Sequence, residues 1–414
     1  MRRVLKLSRE EILERAGKHI FSTGLNDGAS RLCRWNMKYG LAKFHVVQEK
    51  YGLAPDATFI SAPDETITRN RVRWNNGIGY GGRVSWGDGK QRLIILDVMP
   101  NACGMYVGGL QELPGIKEIM ERIDVLQKED KTIDDVKVEF DLGVGNHFIS
   151  VFRVEGTAGI DFPEYAFVIH CGAPELRTDA TKAPGLYLHK SQTLQNMAEC
   201  VETPFGSCYV LVDNNAVTYF NFYEYAECFS EKRRSLAAEE IFGRHEMIAN
   251  VVHQGLANYN EAFLGCHLTQ NSSNEIFPIT LRGDLPAYLL RGGLTFNEQI
   301  LGILGFSKRA EKLEVIDRLR KTSILPHGGG YALPDTLNVI GVVEIATSRY
   351  FIVETMHGMG RKVVSDVKEL AFSYRGMEVL VRTVELGNTE IVGRLQPIYS
   401  FKMQCAYKDA RSAR

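Results

Sequence analysis

Apolar positions along the chain fall into runs that share a border with glycine. Alternation through 148–154 and the near-continuous apolar stretches 93–99, 165–169 and 379–381 read as strands, set beside glycine clusters at 77–89, 104–109, 143–145 and 328–330. Helical spacing is clearest over 115–128, 235–264 and 307–321. In the middle one Ile241, Ile248 and Val252 fall near one face, with Ala249, His253 and Leu256 beside it. Ser307 is placed to cap the third, and Ser8 with Glu11 forms a capping box that opens a short amphipathic N-terminal helix. Strands toward both ends with a helical middle predict an α+β chain with mixed sheets.

Composition narrows the class. The chain has 414 residues, 44% hydrophobic and 24% charged, with a formal net charge of −1. That balance suits a globular protein with a large core and excludes a molecule that binds polyanions by bulk charge, while leaving a local basic groove open. Charges interrupt every apolar run in "MRRVLKLSREEILERAGKHIF", so no signal-peptide core is expected, and no membrane span either. The eight cysteines are scattered without a CxxC pair, which predicts free thiols in a reducing cytoplasm.

Ten histidines carry the candidate chemistry. His19, His45, His189, His245 and His267 lie in ordinary contexts, where packing or surface roles suffice. The other five stand at sharper places: His147 after Gly-Val-Gly-Asn, His170 at the end of "EYAFVIH", His253 in "NVVHQGLAN", His327 in "LPHGGGYALP" and His357 in "MHGMGRK". A histidine at a strand end before glycines can aim its ring into a cleft, and imidazole is the commonest transition-metal ligand. For any one of them alone a hydrogen-bonded turn histidine is the favoured reading; five in one chain shift the balance toward a shared site. Cys103, in "LDVMPNACGMYVGG", reads either as a structural thiol or as a thiolate able to bridge two ions. The chain holds no Walker loop and no strand-linked G-x-G-x-x-G.

Taken in order, these segments resemble the RtcB family of GTP- and manganese-dependent RNA ligases. "GVGNHFISV" is similar to the family's G-G-G-N-H-F-hydrophobic-E-V, "FVIHCGAPEL" to a strand followed by H-S-G-S-R-G, and "VVHQGLAN" to V-x-H-N-x-A. "LPHGGGYALP" resembles H-R-K-G-A-T-R-A-F-P, "MHGMGRKVVS" H-G-A-G-R-x-M-S, and "VGRLQPIYSFK" the terminal V-A-R-L-R-P motif with its lysine. Upstream, "NNGIGYGGRVSWGDGKQRLIILDVMPNACGM" follows the family's glycine-rich lead into D-I-x-C-G. The motifs are collinear from about Asn75 to Lys402.

The resemblance implies one RtcB-like catalytic unit over residues 1–414, with a helical insertion or subdomain around 230–325 and a central metal-lined cleft. It implies two Mn²⁺ ions bridged by Cys103, one completed by His147 and the other by His170 with His253. His357 would accept GMP from GTP, with Asn146, His327, Arg361 and Lys402 holding the nucleotide. Partners would be RNA 3′-phosphate and 5′-hydroxyl ends, from tRNA or cleaved RNA, and an archease-type activator. Departures are also plain. The family's metal-binding Asp is Pro100 here, leaving Asn101 or Asp97 as substitutes; Ser150 replaces a glutamate, and the arginine after His170's turn and the R-K pair after His327 are gone. A metal-dependent phosphoesterase or nucleotidyltransferase, or a non-catalytic binding relative, is the alternative that these changes raise.

Overall fold

Two sheets meet at one histidine, and that meeting organises the molecule. The computed structural model describes residues 7–143, 145–156, 160–179, 183–269, 275–346, 348–356, 360–387 and 389–402, in a mixed α+β arrangement. The alternation at 148–154 forms the strand Phe148–Gly156, and the apolar run at 165–169 forms Tyr165–Cys171. Both lie in a seven-stranded sheet, whose order is Glu246–Val252, Gly104–Leu110, Tyr165–Cys171, Phe148–Gly156, Thr389–Phe401, Ala287–Gly292 and Ile276–Ile279. Every neighbouring pair in it is antiparallel.

Because strand side chains alternate between faces, the sheet feeds two cores. Ile149, Val151, Phe167 and Ile169 pack with Ile119, Ile123 and Ile241 from the helices Ile116–Lys128 and Asp213–Phe242. On the other face Met105, Val107, Phe152 and Val168 pack with Leu289 and Leu395.

A second, five-stranded sheet runs Ile20–Phe21, Thr58–Ile67, Gly79–Ser85, Glu261–Leu264 and Gln254–Asn258. The helix Gly28–Lys50, capped by the Asp27 side chain, buries Leu32, Leu41 and Phe44 in the largest core. Ahead of it the helix Arg9–Lys18 opens on the expected Ser8–Glu11 capping box. His253 is the single residue between Glu246–Val252, in the first sheet, and Gln254–Asn258, in the second.

Several expected elements differ. Helix was expected over 235–264, but the helix runs Asp213–Phe242 and gives way to the strands Glu246–Val252, Gln254–Asn258 and Glu261–Leu264. The helical character expected around 230–325 is therefore confined to its two ends, with strands of three sheets between them. Gly243, at φ +65°, ends the helix, and the β-branched residues of "EMIANVV" then fit a pleated surface. The 307–321 helix is two short ones, Ser307–Lys312 and Ile316–Arg320, broken at Glu314 with φ +57°, and Ser307 makes no capping bond. The 379–381 run lies within the helix Met377–Glu385, and 93–99 is a three-residue strand followed by a 3₁₀ turn.

Candidate metal centre

Strand register places four of the singled-out residues at one end of the seven-stranded sheet. Val252 pairs with Gly104, Gly104 with Cys171, and His170 with Phe148. His253, Cys103 and His147 are the residues next to these strand ends, so the row continues past the sheet edge as a cluster of ring nitrogens and sulfur. The backbone locks it: the His253 amide donates to the Cys103 carbonyl at 3.0 Å. Gly104 is required there, because a Cβ would stand 2.5 Å from the Val251 carbonyl oxygen and 2.6 Å from Arg234 Nη1.

Cys103 Sγ lies 3.2 Å from His170 Nε2 and 3.8 Å from His147 Nε2, and the Nε2 atoms of His170 and His253 are 3.3 Å apart. Cys103, His170 and His253 are all buried, with ligand atoms within 4.8 Å of one another. Two rings have their outer nitrogen engaged, which turns Nε2 inward. His170 Nδ1 meets the Asn146 carbonyl at 3.1 Å, and His147 Nδ1 meets Asp141 Oδ2 at 2.9 Å. Asp141 is itself held by Arg233 at 3.0 Å, and Arg233, fully buried, reaches Glu175 at 2.8 Å.

These contacts set the charges. Burial alone would raise the Cys103 thiol; the His170 and His253 rings and the hydrogen bonds from His147 and His170 outweigh it and hold the thiol well below its ordinary value. Burial would lower His147, yet Asp141 and the Cys103 sulfur carry it up to about 9. Burial keeps His253 well below its usual value, hence neutral. A thiolate and neutral imidazole are the forms that ligate a metal, so an ion bound at His147 would displace the proton that Asp141 and Cys103 hold there. The donor set therefore fits a divalent transition ion: one thiolate between His147 on one side and His170 with His253 on the other.

Cys103, His147 and His170 of the cluster line a cavity of about 550 Å³. Arg69, Arg73, Arg177, Lys190, Arg282 and Lys402 line it, and among the described lining residues there is no Asp or Glu. Asp284 pairs with Arg282, and the remaining cations leave a positive field suited to a phosphate-rich ligand. The arginine missing from the turn directly after His170 has a counterpart seven residues on, Arg177 at the end of the 3₁₀ turn Pro174–Arg177, while Arg69, Arg73 and Arg282 come from other segments. Arg177 is the clearest: it has no carboxylate partner among the described residues, its Nε is buried without a hydrogen bond, and its guanidinium lies 5.7 Å from the Tyr187 ring.

The remaining sequence candidates divide. Asn146 and Lys402 line the cavity, with Lys402 Nζ 3.5 Å from the Gly145 carbonyl. His327 also lines it, held by the buried Asp64 carboxylate at 2.9 Å, with its ring 4.5 Å from that of His253. Asn101, expected as a metal ligand, accepts the Cys103 amide through Oδ1 at 2.8 Å and donates to the Tyr187 hydroxyl at 3.0 Å, so it shapes the Cys103 turn. Asp97, the other substitute, is buried in an ion pair with Lys43 and accepts the Tyr209 amide. Arg361 is exposed on the strand Arg361–Val364 and does not line the cavity. His357 lies outside the described residues.

Asp141, Asp64, Arg177 and Arg233 are the functional residues that sequence reading missed. Asp141, six residues before His147, and Arg177, seven after His170, were within local reach of the sequence; Asp64 and Arg233 act across more than 50 residues of chain, as the Arg233–Glu175 separation of 58 illustrates. Among the described residues no helix is long and apolar enough to cross a membrane, and the seven cysteines are all free. The sequence matches no protein-family profile, and no curated protein is significantly similar to it.

Proposed function

We propose that the protein is a divergent RtcB-like RNA ligase of the cytoplasm, joining an RNA 3′-phosphate or 2′,3′-cyclic phosphate to a 5′-hydroxyl with GTP and Mn²⁺. The observation that carries the reading is a buried cysteine–histidine cluster beside a cationic cavity with no Asp or Glu among its described lining residues. Cys103 would be shared by two ions, with His147 on one and His170 and His253 on the other. Divalent ions there supply positive charge against a triphosphate and its leaving pyrophosphate.

The chain's own groups would do the rest. His357 attacks the α-phosphorus of GTP through an imidazole nitrogen, forming a phosphoramidate to GMP as pyrophosphate leaves. Asn146 and Lys402, both exposed, line the cavity where the nucleotide would sit, and Arg177 would offer positive charge to phosphates. His327, held by Asp64, has its ring 4.5 Å from that of His253. An archease-type activator would be the partner that reloads the enzyme.

Incubation with α-labelled GTP and Mn²⁺ should leave acid-labile label on the wild-type protein and none on His357→Ala. Equal label on both, or none on either, refutes the reading. A thiolate and imidazoles bind Zn²⁺ at least as well as Mn²⁺, so the assay is run with each ion in turn.

A further inference from the structure

A second basic cavity lies apart from the first. It measures about 410 Å³ and is bounded by Arg31, Arg34, Trp35 and Lys38 of the helix Gly28–Lys50, together with Arg309 and Asn338. The four helix residues are spaced i, i+3, i+4 and i+7, which puts them on one face. Arg309 arrives from the helix Ser307–Lys312, so two separate elements converge their cations on the same space.

The charge there is largely uncompensated. Among the described residues that line the cavity there is no Asp or Glu. Arg31 donates to the Leu337 carbonyl, Arg34 to Ser22 and Asn26, and Arg309 to the Ile20 carbonyl, all neutral acceptors. Two acids come near. Glu14 is paired with Lys18 at 2.7 Å, and Glu65 lies 3.9 Å from Arg34. Burial pushes Glu65 up to about 7, against the pull of Arg34, so at neutral pH it offsets that guanidinium only in part.

An aromatic ring is built into the same surface. Lys38 Nζ stands 5.2 Å from the centre of the Trp35 ring. Trp74 and Trp86 are buried, at 2% and 0% exposure, while Trp35 is half-buried and lines the cavity. Converging cations beside an indole match the pattern that binds single-stranded nucleic acid, where phosphates take the charge and a base takes the ring. One strand also links the two cavities. In Thr58–Ile67, Asp64 binds His327 of the first cavity, and the next residue, Glu65, approaches Arg34 of the second.

We infer that the Arg31–Arg34–Trp35–Lys38–Arg309 cavity is a second, non-catalytic anchor for a single-stranded RNA segment. The choice of RNA over DNA rests on the ligase reading; the strand-binding chemistry does not. Its role would be to hold a stretch of the substrate away from the reacting end, which raises the local concentration of that end at the cluster.

The test uses the full protein in EDTA and a decauridylate with hydroxyls at both ends, so no reacting phosphate and no metal contribute. Binding should quench tryptophan fluorescence, and Trp35→Phe should remove that quench. Lys38→Glu with Arg31→Glu should weaken binding about 10-fold or more and reduce the slope of log affinity against log salt by about 1.4, roughly 0.7 for each phosphate contact on a single strand. Trp35→Ala should weaken binding roughly 5- to 100-fold, the range for one lost base stack. Circular dichroism of each variant checks the fold. Unchanged affinity in the folded charge variants overturns the inference. So does saturation by UMP, pyrophosphate or an acidic peptide as tightly as by the decamer. If the anchor is found but no GMP is taken up, the ligase reading falls and the anchor stands.

Discussion

Asp141→Asn separates the two halves of the candidate metal centre. The carboxylate touches His147 Nδ1 at 2.9 Å and no other cluster residue, and it sits on the His147 side of Cys103. Replacement by an amide keeps a carbonyl oxygen for the His147 N–H but removes the charge that holds His147 up at about 9. Arg233 keeps Glu175 at 2.8 Å and the Glu139 carbonyl at 2.5 Å, so the buried guanidinium stays paired and the fold should survive. Loss of such an orienting carboxylate costs about 10- to 100-fold in metal affinity, or ~1.4–2.7 kcal/mol. Stability should fall by about 1.5 kcal/mol, the low end for a hydrogen bond to a charged group. Calorimetric titration with Co²⁺ or Mn²⁺ reads both sites, and the thiolate-to-cobalt absorption band reports whether the ion touches Cys103. One site should weaken while the one formed by His170 and His253 keeps its affinity. Equal weakening of both, or no metal uptake by the wild-type protein, would refute the assignment.

Other expectations are as concrete. Cys103→Ser should abolish the thiolate-to-cobalt band while leaving the far-ultraviolet spectrum intact; a band of undiminished strength would show that another cysteine binds the ion. Gly104→Ala should destabilise the protein by about 3 kcal/mol, the upper end for a single substitution, because its Cβ has no room between Val251 and Arg234; a urea midpoint unchanged from wild type would contradict that. Acid should also destabilise the fold through His19, which burial holds at about 4, with its ring edge-on to His45 at 4.9 Å. Its folded value lies below the unfolded one of about 6.5, so the unfolded chain takes up the proton first. Its stabilisation is complete above about pH 6.5 and is lost as the pH falls toward 4, amounting to about 2 kcal/mol at pH 5. Urea unfolding at pH 7.5 and 5 measures it, and a His19→Gln variant whose acid sensitivity equals that of wild type would exclude His19 as the source.

Local pattern carried some elements well and failed at others for physical reasons. Alternation found the strand Phe148–Gly156, and a near-continuous apolar run found Tyr165–Cys171, which is buried on both faces along almost its whole length. The helix Asp213–Phe242 buries Tyr219, Phe229, Arg233 and Arg234 on several sides at once, so it lacks the single apolar stripe that makes a helix visible in sequence. The strands after it carry apolar residues at spacings that a helix would also use, and His253 was misplaced onto a helix as a result. The run 379–381 is too short to tell strand from helix. Cys103, His147, His170 and His253 were legible from the order of their motifs. Most cations of the cavity were not, because Arg69, Arg73 and Arg282 come from distant segments that only tertiary structure brings to the site.

The adjacent arginines of the long helix have a consequence for exchange behaviour. Arg233 grips Asp141 and Glu175, while Arg234 reaches Asn250 at 2.7 Å and the Ala102 carbonyl at 3.4 Å. Ser230, one turn earlier, donates to the same Ala102 carbonyl at 2.6 Å. One helix thereby clamps the loop before His147, the turn carrying Cys103 and the strand leading to His253. Those three segments are therefore expected to open together with the helix. Their amides should form a single slow hydrogen-exchange unit, protected nearly to the limit of global unfolding. An ion held there would be kept kinetically as well as by affinity, since its escape has to wait for that cooperative opening.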